Sequence, residues 1–181
     1  MPPPLVPGLI YAVQEEKPRI CYDLLRSLLD GTSPNVAPGV YRGLVVTRSF
    51  PPICREIRGL GSLPVYWLTS NVQSTEPVIA PSAITRLNLV VTDFLRNEIH
   101  GVILLDGLEY LITQNSFEII LRLIQSWNDR IMTSKSLLVY SIDPLAVSKQ
   151  ELHLLLRESE DVFTSERLRF ARMTAEPPVL R

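Results

Sequence analysis

Two patterns of apolar residues alternate along this chain. Short contiguous apolar runs give way to segments whose apolar residues recur every three to four positions. The first pattern reads as strands buried on both faces of a parallel sheet, the second as helices laid against it. Five strands are expected: Leu9–Val13, Leu44–Thr47, Val65–Thr69, Gly101–Leu105 and Leu137–Ser141. After the first, Pro18 suits the opening turn of a helix, where its missing N–H costs nothing. Cys21, Leu24, Leu25 and Leu28 form that helix's stripe, and Asp30-Gly31 ends it. A short helix over 53–58 closes at Gly59 and Gly61, and a longer one over 83–99, with Ser82 as N-cap, buries Ile84, Leu87, Val91 and Phe94. Asn115-Ser116-Phe117-Glu118 reads as a cap with a reciprocal acid, leading into Phe117, Ile120, Leu121, Ile124, Trp127 and Ile131. Ser148-Lys149-Gln150-Glu151 is a capping box ahead of Leu152, Leu155 and Leu156. Residues 32–39 and the stretch around Pro77 and Pro81 read as loops.

Strands alternating with helices imply a three-layer α/β/α domain with a five-stranded parallel sheet and right-handed crossovers. A single domain over 9–163 is expected, with a flexible N-terminal arm over 1–8 and a C-terminal extension over 164–181.

Composition narrows the function classes. The chain has 181 residues, 46% hydrophobic and 20% charged, which fits one globular domain and excludes disorder. A net charge of −1 leaves no electrostatic case for nucleic acid or an anionic membrane. The tail holds Arg167, Arg169, Arg172 and Arg181 against Glu166 and Glu176, and reads as a solvated end. Cys21 and Cys54 form no CxxC pair, and His100 and His153 lie far apart, so no zinc spacing exists. Both cysteines fall on apolar helix faces and are expected as buried free thiols. Met1-Pro2-Pro3-Pro4 lacks the regions of a signal peptide, and no apolar run nears membrane-span length, so a cytosolic protein is expected. Fifteen arginines against three lysines, with fifteen prolines, match part of the pattern of thermophile proteins.

Candidate chemistry gathers where the strands end. In open α/β sheets ligands sit at the carboxyl ends of strands. Those tips are Gln14–Lys17, Thr47–Ser49, Thr69–Ser70, Asp106–Glu109 and Ser141–Asp143. Lys17, Arg48, Asp106, Glu109 and Asp143 are the candidate ligand-binding residues. On one reading Asp106 and Glu109 handle a metal or a proton while Arg48 clamps an anion. On the other, Asp106 caps its turn, Gly107 supplies a positive φ, and Arg48 pairs with Asp106. Tyr66 and Trp67 alternate on a strand, so one or both read as core aromatics, and His100 reads as a helix C-terminal cation. No G-x-S-x-G, H-E-x-x-H or G-x-G-x-x-G motif occurs, and no hydroxyl on the edge has a histidine near it in sequence, so a catalytic triad is not expected.

Taken together, several segments resemble the DUF835 family, a domain of unknown function found chiefly in archaea. They are Gln14-Glu15-Glu16-Lys17-Pro18, Gly43–Arg48, Pro64–Leu68 and, most specifically, Gly101–Ile112, followed by the capped helix from Asn115 and by Asp143-Pro144. The resemblance spans Leu9 to Val162, with a longer loop over 32–38 than the family pattern. More distantly the chain is similar to the KaiC and RecA ATPase core, where a phosphate-loop strand and helix come first, two strands follow, and an acid-tipped strand holds Mg²⁺. Asp106 falls where that acid would be, and Lys17 near the phosphate-loop lysine. The loop glycines are missing, Glu15 and Glu16 stand in their place, and Pro18 replaces the Mg²⁺-binding Ser or Thr. These likenesses imply a RecA-like order without a phosphate loop. They also imply a non-catalytic regulatory or protein-interaction module, of a kind attached to signalling proteins, with a protein partner or a second copy and no cofactor. The alternative is a metal-dependent nucleotide or phosphoester enzyme that uses Mg²⁺ at the acidic rim.

Overall fold

Every expected apolar run becomes a strand, because each is long enough to be covered on both faces by amphipathic helices. The computed structural model describes residues 5–33, 36–71 and 73–164. The elements are β1 (Ile10–Gln14), α1 (Ile20–Leu29), β2 (Arg42–Thr47), α2 (Pro51–Arg58), β3 (Val65–Leu68), β4 (Val78–Ile79), α3 (Ile84–Asn97), β5 (Gly101–Leu105), α4 (Leu108–Gln114), α5 (Phe117–Met132), β6 (Leu137–Ile142), α6 (Lys149–Arg157) and β7 (Asp161–Thr164).

The strands form one sheet in the order β4-β3-β2-β5-β6-β1-β7, and every neighbouring pair is parallel. Among the described residues the sheet therefore has seven strands, not five. Both additions are edge strands too short to stand out as apolar runs. Val78-Ile79 lies between two prolines and pairs only with β3. Residues 161–164 pair only with β1. A further helix, α4, follows directly from the turn after β5, where a continuous apolar segment gave no separate helical period.

Alternate strand residues feed two cores. On one face Ala12, Val46, Ile103, Leu105 and Tyr140 pack with α3, α4, α5 and α6, around the wholly buried Trp127. On the other, Val13, Val45, Leu104 and Val139 pack with Tyr22, Leu25 and Leu28 of α1 and Cys54 of α2. Both cysteines are free and buried.

Two caps differ from expectation. Ala83, not Ser82, precedes α3 and offers no side-chain bond. Ser116 caps α5 by accepting from the Ile119 N–H, which leaves Glu118 one position too early to reciprocate. The Ser148–Glu151 box forms in full. Of the expected N-terminal arm, Leu5 is buried in the α1-side core, and residues 1–4 lie outside the described residues. The arginine-bearing tail beyond Thr164 also lies outside them. Among the described residues no helix is long and apolar enough to cross a membrane.

Candidate functional site

β5 runs between β2 and β6, so Asp106 leaves the sheet near its middle. Its backbone prolongs the ladder: its N–H donates to Val46 O (2.8 Å), and its carbonyl accepts from the Arg48 N–H (3.1 Å). Gly107 then turns the chain into α4 at φ +111°, a conformation L side chains rarely adopt.

The Asp106 side chain is only 6% exposed. Its Oδ2 accepts from Thr47 Oγ1 (2.8 Å) and from the Tyr22 hydroxyl (3.1 Å). The Tyr22 oxygen in turn accepts from Cys54 Sγ (3.3 Å). Asp106 Oδ1 accepts no hydrogen bond from the described residues. Burial pushes the Asp106 carboxyl above its usual range, the two hydroxyls pull it back, and Glu15 pushes it further up. Burial also raises the Tyr22 hydroxyl and the Cys54 thiol, so both keep their protons and act as donors. Arg58 lies over the Tyr22 ring, 5.0 Å from its centroid.

The second feature is the head of α1. Arg19 is the N-cap and makes no side-chain cap bond. Glu15, four residues upstream, does that work. Its Oε2 accepts from the N–H of Arg19 (2.9 Å) and Ile20 (2.8 Å), and its Oε1 accepts from the Cys21 N–H (3.2 Å). Ser141 Oγ, at the tip of β6, donates to the same Oε1 (3.1 Å). A helix N-terminus presents unpaired N–H groups and a positive partial charge. Here the protein's own carboxylate fills that position, at 8% exposure.

The remaining expected site residues do not converge. Lys17 is exposed and lies ahead of the helix. Arg48 does not pair with Asp106. Its Nη1 donates to Leu68 O (2.8 Å), and its guanidinium sits 4.0 Å from the Tyr110 ring centroid, which holds it on the β3–α4 side. Glu109 turns to the Asp143 backbone N–H, and Asp143 Oδ1 accepts from the Leu145 N–H (2.9 Å). Burial raises the Glu109 carboxyl, the Asp143 N–H pulls it down, and Asp106 and Asp143 push it up. These acids form no ligand set: among the described residues no three His, Cys, Asp or Glu side chains are grouped to hold a metal ion. Tyr66 is half-buried and packs against the core, whereas Trp67 is half-buried outside it, with Phe50 packed edge-on to its ring at 5.1 Å. Phe50, Ile53 and Ile57 stand 42%, 53% and 68% exposed along one side of α2.

Sequence reasoning placed Glu15, Thr47 and Ser141 at strand tips without singling them out as site residues, and it missed Tyr22 and Cys54 altogether as partners of the rim. An acid four residues ahead of a helix that lacks a capping residue was the one available signal for Glu15.

The model of the family described as "Protein of unknown function (DUF835)" matches residues 30–159. That stretch contains Thr47, Asp106 and Ser141 and begins after Glu15 and Tyr22. No curated protein matches the chain. A solved structure described as a structural study of Project ID PH0250 from Pyrococcus horikoshii OT3 is similar to it, with a TM-score of 0.55 and 10% identity over 88% of this chain and 83% of that one. Identity this low supports the fold alone: a parallel sheet flanked by helices.

Proposed function

This chain belongs to the DUF835 family, and from that premise we propose that it is a regulatory or protein-interaction module on a RecA- and KaiC-like frame, without nucleotide chemistry. The family's description assigns no activity, and the site supports this reading. The observation that carries it is Glu15. Phosphate-binding folds use the free N–H groups at the head of a helix to cradle phosphate oxygens. In this chain three such N–H groups are already taken by the Glu15 carboxylate. A phosphate would have to displace that carboxylate and then sit beside the exposed Glu16. Pro18 has no N–H to offer, and the exposed Lys17 lines the hollow at the head of α1 together with the two acids Glu15 and Glu16.

The RecA-like part of the reading rests on chain order. β1 and α1 come first, β2 and β3 follow, and the acid-tipped β5 comes next, with β4 as an addition at the sheet edge. The exposed row Phe50, Ile53 and Ile57 gives a protein partner, or a second copy, an apolar surface to bind. Within this reading the chain works in the cytosol.

The test is a thermal-shift series with ATP, ADP and GTP, each with and without Mg²⁺. A nucleotide at 100 times its dissociation constant adds about 2.7 kcal/mol, which a melting curve resolves easily. The expected outcome is no shift. A Mg²⁺-dependent shift that Asp106→Asn abolishes would overturn the proposal in favour of the metal-dependent nucleotide or phosphoester reading. The observation on that side is the bare Asp106 Oδ1.

A further inference from the structure

At the opposite end of the sheet from the acidic rim, the start of β2 and the ends of α1 and α2 border an open hollow of about 450 Å³. Its volume falls in the range of small-molecule sites, roughly 300–1,000 Å³. The floor is apolar: Leu60 and Tyr41 are buried there, and Leu29 and Leu63 are half-buried. Arg26 and Arg42 also line the hollow. Arg26 pairs with Asp23, whereas the Arg42 side chain has no carboxylate or hydrogen-bond partner among the described residues. The one acid on the lining, Asp30, is turned to the N–H and hydroxyl of Thr32. Tyr41 is 4% exposed, and its hydroxyl has no partner among the described residues.

We propose that this hollow binds an amphipathic organic anion, its carboxylate, sulfonate or phosphate held by Arg42 and its apolar body laid on Tyr41, Leu60 and Leu63. The site is independent of the rim and of the protein-interaction reading. Apolar side chains on the lining select an apolar body, and the unpaired Arg42 beside them selects an anionic head. The carbonyl ends of α1 and α2 also face this edge, where they disfavour negative charge. The anion therefore depends on the guanidinium and not on helix dipoles, which makes Arg42 the decisive residue.

The probe is anilinonaphthalene sulfonate, an aromatic body with one anionic group, titrated into the full-length protein by fluorescence. Saturable binding is expected, displaced by octanoate and not by octylammonium. Arg42→Ala should weaken it by about tenfold or more. Ser62→Trp, an exposed lining position, should block it while the melting temperature stays unchanged. The double variant Ile53→Asp, Ile57→Asp should leave it intact. No saturable binding, equal displacement by octylammonium, or full binding in either Arg42→Ala or Ser62→Trp would each overturn the proposal. So would loss confined to the Ile53, Ile57 variant, which would place the dye on α2. The nucleotide series reads the rim separately, so either result can fail without the other.

Discussion

Replacing Glu15 with alanine removes the anion that closes the head of α1. The carboxylate accepts three backbone N–H bonds and one from Ser141. Bonds to a charged group contribute about 1.5–3 kcal/mol each where water cannot replace them. Here water can enter from the rim, so the loss lies at or just above the upper end for a lost N-cap, about 2–3 kcal/mol, within the range of a single bond to a charged group. For a domain of this size each kcal/mol moves the melting temperature by about 2–4 °C. Glu15→Ala should therefore melt about 4–12 °C below the wild type by circular dichroism. Glu15→Gln keeps one acceptor oxygen but turns an NH₂ toward N–H donors, and should recover no more than about half of that loss. The loss should also be local. Amide exchange at Arg19, Ile20 and Cys21 should accelerate in the alanine variant, while amides of β5 and β6 change only with global stability. A melting temperature within about 1 °C of the wild type, with unchanged exchange at those three amides, would refute the assignment of Glu15 as the occupant of the helix head.

Other consequences can be checked on the same material. Asp106 and Glu109 have native pKa values raised above their unfolded ones, so between those values the folded state binds more protons and stability falls as pH rises. The window opens near the usual carboxylate values of about 4 and closes at the raised native values. Asp106→Asn should flatten the fall in urea midpoint from acid to neutral pH, and an unchanged slope would refute the burial argument. Gly107→Ala forces a Cβ to 3.1 Å from Arg48 Cβ at a φ of +111°, and should cost about 1–3 kcal/mol; a loss below about 0.5 kcal/mol in denaturant titration would show the turn to be permissive. Ser148→Ala breaks the α6 capping box and should cost about 1 kcal/mol, read as a lower melting temperature with an unchanged urea m-value.

The two end strands show where local pattern stops being informative. β5 and β6 each carry five or more successive buried residues, and no other element type suits runs of that length bounded by polar turns. β4 has two residues and β7 has four, and each pairs with a single neighbour. Such segments become strands because an adjacent strand already presents unpaired N–H and C=O groups, which is a property of the assembled sheet. The Asn115–Glu118 cap failed by one position, because where a helix begins depends on how the preceding α4 ends.

For the rim, the sequence by itself determined which polar residues would meet at one edge. Parallel strands of known direction bring all their tips together. It also determined that Gly107 would turn the chain, since only a residue without Cβ accepts that φ. Which of those polar residues touch was decided by tertiary structure alone. Arg48 had both Asp106 and the Tyr110 ring within a few residues of its own strand or its neighbour's, and packing sent it to the ring. Asp106 found its donors on α1 and β2, 84 and 59 residues away in the chain. Glu15 found Ser141 across 126 residues. A buried carboxylate must take whatever donors the fold places within about 3 Å, and those donors sit on elements whose relative positions are set by how two cores pack against a shared sheet.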